Sequence, residues 1–158
     1  MSGPLVRDAT DADVPAILPM VRAICSMHEK LDPSRYAMLP GVASMYESWL
    51  PRRIADPNSV VLVAEAESGV AAFLVAEIES SIPIYRLERF GFIHDVWVEP
   101  AVRGAGLGKA LAIRAVEKFR AMGVKQIRLE TAADNPGARR LFSSCGFRIA
   151  TIDMLIDL

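Results

Sequence analysis

The sequence predicts an α/β (α+β) chain forming one domain over residues 1–158, built on a mixed sheet with helices on its faces. Three observations predict it. Two β-rich runs, Val60 to Ala66 and Val70 to Ile78, are separated only by Glu67-Ser68-Gly69, which argues for a hairpin. A strand, a helix and a strand then follow between Phe92 and Thr131, and such a unit makes a parallel pair. The length of 158 residues, with 52% hydrophobic and 23% charged, suits one hydrophobic core and excludes long disorder.

In chain order, Leu5 to Arg7 reads as a short opening strand. Thr10 and Asp13 form a hydroxyl cap followed three residues later by an acid, and Val14, Ile17, Leu18, Val21, Ile24 and Cys25 then recur at helical spacing. Pro19 predicts a kink or break in that helix. His28 to Pro40 reads as a loop, Val42 to Ala55 as a second helix, and Ser80 to Gly91 as a connection after the hairpin. Phe92 to Val98 is a third strong strand, stopped by Glu99-Pro100. Leu111, Ala115, Phe119 and Met122 line one side of the next helix, which Gly123 closes. Gln126 to Thr131 is a strand, Asn135-Pro136-Gly137 opens the last helix, and Phe147 to Leu158 reads as a final strand or strand pair.

Residues 1–100 carry 8 Lys or Arg against 14 Asp or Glu, a net of −6, whereas residues 101–158 carry 10 against 5, a net of +5. The basic part suits a polyanion and the acidic part a cation; two oppositely solvated faces would give the same counts. A net charge of −1 gives no reason to expect nucleic acid or an anionic membrane as partner. Cys25 and Cys145 match neither a disulfide framework nor a metal-ligand spacing, no metal is expected, and no apolar run reaches bilayer length, so a cytoplasmic location is the expectation.

The segment from Val98 to Lys109 is the most informative. It joins a strand end to a helix start, where backbone N–H groups lack intrahelical partners and the helix dipole favours an anion. Glycines let the main chain approach a phosphate closely, so Arg103, Gly104, Ala105, Gly106, Leu107, Gly108 and Lys109 read as a pyrophosphate turn. A P-loop fits poorly, because Gly104 and Gly108 enclose only three residues and Ala110 follows Lys109. The dinucleotide fingerprint lacks its third glycine, although Glu130 lies where a ribose-binding acid is expected.

Arg103, Gly106 and Gly108 fill the fixed positions of Arg/Gln-x-x-Gly-x-Gly/Ala, after Val98-Glu99-Pro100 and before an Asn135, Ala138, Gly146, Phe147 block. In this the chain resembles the GCN5-related N-acetyltransferases over nearly its whole length. The resemblance implies the acyl-CoA N-acyltransferase type of fold: a mostly antiparallel sheet with a central parallel strand pair. It also implies transfer of an acetyl group from acetyl-CoA to a small-molecule or peptide amine.

Carried over, the resemblance puts the backbone of Val96, Trp97 and Val98 beside the thioester, with Asn135, Ala138, Arg140 and Phe142 flanking the pantetheine arm and nucleotide. Members often carry Glu-Asp where this chain has His94-Asp95, which makes His94 the candidate base, with Asp95 and Glu130 as alternatives. A structural, hydrogen-bonded His94 is the competing reading. Alternation along the strand sets His94 and Asp95 on opposite faces. Phe142 stands where many members have a thiolate-protonating tyrosine. The thiolate then leaves unaided, or Ser143, Cys145, Tyr36 or Tyr85 supplies the proton, or the chain is a non-catalytic acyl-CoA-binding module. The acceptor side implied is lined by His28, Glu29, Asp32, Tyr36, Tyr85 and Arg86, with Trp49 as a possible wall. The apolar stretch from Ile152 to Leu158 suggests edge pairing into a homodimer.

Overall fold

The structure is a computed structural model that describes residues 5–158. Its elements run β1 (Leu5–Asp8), α1 (Val14–Leu31), α2 (Val42–Ala55), β2 (Ser59–Ala66), β3 (Gly69–Ser80), β4 (Arg89–Val98), α3 (Leu107–Ala121), β5 (Ile127–Leu129) and α4 (Pro136–Ser144). The strands form one sheet in the order β1-β2-β3-β4-β5. Three neighbouring pairs are antiparallel and β4–β5 is parallel.

Helices cover both faces. On one face Leu62, Leu74 and Ile93 pack with Leu111, Ala115 and Phe119 of α3 and Phe142 of α4. On the other, Val63, Phe73, Val75 and Trp97 pack with Ile17 and Val21 of α1 and Leu50 of α2. Val60–Ala64 is therefore buried residue after residue, which explains its unbroken apolar run. Gly91 sits where an added Cβ would lie 3.0 Å from the Phe119 ring, so the strand is pressed directly onto α3.

The start of α1 follows the sequence reading. The Thr10 N–H and hydroxyl both donate to Asp13 Oδ2, at 2.8 and 3.0 Å. Arg7 of β1 grips the same carboxylate through two bonds of 2.8 Å, holding the Asp13 carboxyl down at about 2.

Several expectations are corrected. Of the kink or break expected at Pro19, the break does not occur: α1 continues to Leu31 and takes in His28, expected in a loop. Only one intrahelical bond, to the Pro15 carbonyl, is lost at Pro19. Strands β3 and β4 extend into the expected connection and pair as far as Ser80↔Arg89. The final strand does not form. Residues 147–158 carry no strand pairing and are tethered instead by Asp153 to Arg35 and by Asp157 to Ser34. The outer edge of β5, three residues long, is left unpaired, so strand propensity in this segment is not realised as sheet pairing.

Candidate functional site

The turn after β4 is shaped by main-chain conformation. Gly104 and Gly106 adopt φ of 86° and 85°, a region that side-chain-bearing residues avoid. A Cβ at either position would meet nothing within 4 Å, so conformation and not crowding demands glycine there. Gly106 is the N-cap of α3, and the Leu107, Gly108 and Lys109 amides form its unpaired first turn. Gly108 is tightly enclosed: a Cβ there would sit 3.2 Å from Leu141 and 3.4 Å from Val98. Arg103 folds back, its Nε donating to the Val98 carbonyl at 3.0 Å and its guanidinium lying 4.7 Å over the Trp97 ring. Ala105 and Lys109 stand exposed on the same turn.

Beside this turn, β4 and β5 part company. Their pairing covers only Gly91↔Ile127 to Ile93↔Leu129, whereas β4 stays paired with β3 through Val98. The backbone of Val96, Trp97 and Val98 thus faces an opening on the β5 side. Asn135 Oδ1 accepts from the Ala138 N–H at 3.1 Å, capping α4 across that opening, and Arg140 is exposed on the same helix. Phe142 points the other way. It is 8% exposed and packs edge-on to Phe147 at 5.4 Å, within the core.

The acceptor side depends on a β-bulge. Asp95 pairs with Val75 and Ile93 with Ala76, so His94 is the extra residue. The bulge resets the alternation, and His94 and Asp95 both face α1 and α2, correcting the expectation of opposite faces. Asp95 accepts from the Tyr46 hydroxyl at 2.8 Å. Burial pushes its carboxyl up, opposed by the Tyr46 bond and by the two nearby imidazoles of His94 and His28. Burial, reinforced by Asp95, likewise raises the Tyr46 hydroxyl. Burial lowers His28, favouring the neutral ring, with Asp95 pulling the other way. The Cys25 thiol is raised by burial, then by Asp95 and Glu29.

A cavity of about 140 Å³ is lined by His28, Tyr36, Phe92, Ile93, His94 and Glu130. His28 and Tyr36 stack on each other in its wall, with ring centroids 4.8 Å apart. Four of the expected side chains therefore meet here: His28, Tyr36, His94 and Glu130. The other four acceptor-side residues expected do not: Glu29 accepts from the Met38 N–H at 2.8 Å, Asp32 ends α1 and accepts from the Arg35 N–H at 3.0 Å, and Tyr85 and Arg86 lie in the exposed connection between β3 and β4. Glu130 is at the rim, 75% exposed and 3.8 Å from Arg35.

The sequence reading missed Glu77, Glu79, Tyr46 and Arg53. His94 Nε2 lies 2.9 Å from Glu77 Oε1 and 3.6 Å from Glu79 Oε1. Period-2 spacing of Glu77 and Glu79 on a strand was the available signal, but their partner lies on the neighbouring strand. One ligand atom from each of Glu77, Glu79 and His94 lies within 4.8 Å of the others, and with Arg53 holding Glu77 Oε2 the cluster forms a hydrogen-bonded ion-pair network.

The profile of the acetyltransferase (GNAT) family matches residues 24–147. The chain belongs to that family. A mycothiol acetyltransferase of Sanguibacter keddieii is 29% identical over 122 residues, covering 75% of this chain and 38% of the relative. This chain thus spans about two fifths of that protein's length or less among such relatives. The uncharacterised N-acetyltransferase YjgM of Escherichia coli K12 is 29% identical over 151 residues, covering 91% of this chain and 81% of its own. Among solved structures, the tetramutant of the BH1408 protein from Bacillus halodurans superposes with a TM-score of 0.85 at 22% identity, covering 98% of this chain and 99% of that one. At that identity the likeness speaks for the fold, and the fold is the acetyltransferase one. Family membership also disposes of the dinucleotide reading, since the sheet has one parallel pair where a doubly wound fold has a parallel series.

Proposed function

We propose that this GNAT domain transfers an acetyl group from acetyl-CoA to an amine by direct attack on the thioester. The observation that carries the reading is the conjunction of the Gly104–Lys109 turn with the opening between β4 and β5. The turn offers a row of unpaired amides to a pyrophosphate, and the unpaired edge of Val96–Val98 offers main-chain bonds to an amide-containing arm. Arg103, Gly104, Ala105, Gly106, Leu107, Gly108 and Lys109 are assigned to the diphosphate. Asn135, Ala138 and Arg140 flank the arm and nucleotide, with Phe142 supporting that helix from the core.

The cavity on the opposite side of β4 receives the acceptor. A primary ammonium, with pKa about 10.4, must lose a proton before it attacks. His94 takes that proton, with His28 and Glu130 facing it across the cavity and Asp95 as the buried carboxylate next to it. The amine nitrogen then bonds to the thioester carbon, a β4 main-chain N–H near Val96 or Trp97 stabilises the oxyanion, and the C–S bond breaks. Coenzyme A leaves as a thiolate, tolerable for a thiol of pKa about 8.5 without the tyrosine that Phe142 replaces. Tyr36, which lines the cavity, is the candidate to assist.

We read residues 1–158 as one catalytic domain, acting in the cytoplasm on a small-molecule or peptide amine, with no nucleic acid or membrane as partner. The described residues contain no helix long and apolar enough to cross a membrane. We also assign Ile152, Met154 and Ile156, each more than 80% exposed, to a homodimer contact. Light scattering of the Ile156→Asp variant tests it, with a monomer expected.

The test of the function is amine-dependent release of free thiol from acetyl-CoA across polyamines, aminoglycosides, amino acids and peptide amines. Release with at least one class is expected. Coenzyme A binding without turnover for any amine would make the chain a non-catalytic acyl-CoA-binding module.

A further inference from the structure

The bulge leaves His94 outside the regular pleat, so strand geometry alone does not aim its ring. What aims it comes from β3, from α2 and from a neighbour on β4 itself. Glu77 of β3 places Oε1 2.9 Å from Nε2. Trp49 of α2 and Phe92 of β4 stand edge-on to the imidazole, with ring centroids 5.9 and 5.0 Å away. Glu77 is itself held: its other oxygen accepts from Arg53 of α2, and Arg53 lies 3.4 Å from Asp56.

We propose that Glu77 is a positioning residue that sets the tautomer of His94, keeping the proton on Nε2 so that Nδ1 is the nitrogen that accepts the proton of the amine. The inference rests on His94 being the base. An ionised carboxylate only accepts hydrogen bonds, so the nitrogen facing Glu77 carries hydrogen. In the neutral ring the lone pair then lies on Nδ1. When Nδ1 takes the amine proton, the new imidazolium charge sits 2.9 Å from Glu77, which stabilises it as the carboxylate of a catalytic triad does. The Asp56–Arg53–Glu77–His94 chain thus connects α2 to the reacting centre, and Arg53 keeps the Glu77 carboxylate oriented. The other charged groups near the ring have different roles. Glu79 is 3.6 Å from Nε2, too long for a hydrogen bond of comparable strength. Asp95 bonds to Tyr46, while Glu130 and His28 lie on the cavity wall.

The test compares Glu77→Gln, Glu79→Gln, Glu77→Asp and His94→Ala. The readouts are kcat, KM for acetyl-CoA, and the imidazole 15N signals of His94 in its neutral form, recorded with and without chelator. In the wild type the Nε2–H tautomer is expected to dominate. Glu77→Gln, whose amide donates as readily as it accepts, should yield a tautomer mixture and lower kcat by about 10- to 100-fold. Its KM for acetyl-CoA should stay within about twofold. Glu79→Gln should leave the tautomer signal unchanged, and Glu77→Asp should restore part of both signal and rate.

Loss of kcat in His94→Ala together with unchanged kcat and tautomer in Glu77→Gln overturns the role of Glu77 alone. Retained kcat in His94→Ala removes the base assignment, and the role of Glu77 with it. A His94 signal that shifts on adding chelator would show a bound cation in place of the hydrogen bond, and so also overturns the proposal. Should Glu77→Gln fold poorly, Arg53→Gln probes the same chain from its far end and should loosen the tautomer preference in the same direction.

Discussion

The turn after β4 and the cavity around His94 lie on either side of one strand, yet they are built from different materials. The turn is main chain: two glycines at φ near 85° and a helix start, contiguous in sequence from Arg103 to Lys109. The cavity is side chain, gathered from α1, the loop after it, β4 and the end of β5, and aimed by a bulge. A site made of backbone is indifferent to most side chains and intolerant of conformational change. A site made of side chains is the reverse. The two should therefore respond to substitution in separable ways, coenzyme affinity tracking the first and turnover the second.

The largest expected effect breaks the cavity alone. His94→Ala should lower kcat by about 10²-fold or more while leaving coenzyme A affinity within about twofold, as steady-state kinetics and calorimetry would read. A parallel loss of affinity would mean the two regions are not separable. Next in size, and away from both regions, Asp13→Asn should cost about 2 kcal/mol of stability by denaturant unfolding, through loss of the charge-assisted bonds from Arg7, while kcat and affinity stay level.

The same ion pair gives a pH signature. The Asp13 carboxyl is at about 2 in the folded chain against 3.8 unfolded. Its stabilisation is therefore complete above about pH 4 and is lost as pH falls towards 2, and Asp13→Asn should flatten that part of the acid-unfolding profile. Arg103→Gln comes third. It removes the bond to the Val98 carbonyl and the stacking on Trp97, so coenzyme A affinity should fall by about tenfold with kcat at saturation little changed. The smallest effect belongs to Ala105→Ser, an exposed side chain on a backbone-built turn, where affinity should move by no more than about twofold.

The same division explains what could be read from the sequence. The glycine turn, the capping of α1 by Thr10 and Asp13, and the α3 stripe of Leu111, Ala115 and Phe119 are local, and each appears in the structure where its spacing put it. The strand–helix–strand unit likewise gave the parallel pair. What failed was non-local. Alternation along β4 placed His94 opposite Asp95 because a bulge is a relation between two strands and leaves no mark on one of them. Glu77 and Glu79 on β3 meet His94 only across the neighbouring strand β4, a relation that neither strand's own sequence records. His28 was assigned to a loop because the prolines beyond it suggested an early helix end, but α1 runs on to Leu31. Residues 147–158 have strand-like composition, but propensity alone does not make a strand pair, and the segment stays off the open edge of β5.

Calorimetric titration of coenzyme A into the wild type and into Gly106→Val tests the account most directly. The wild type should bind one equivalent. The valine, forced into a backbone region near φ 85° that it avoids, should weaken binding by about tenfold or more while the chain keeps a cooperative thermal transition. No heat of binding in the wild type, or equal affinity in a folded Gly106→Val, would contradict the claim that this turn is where the diphosphate is held.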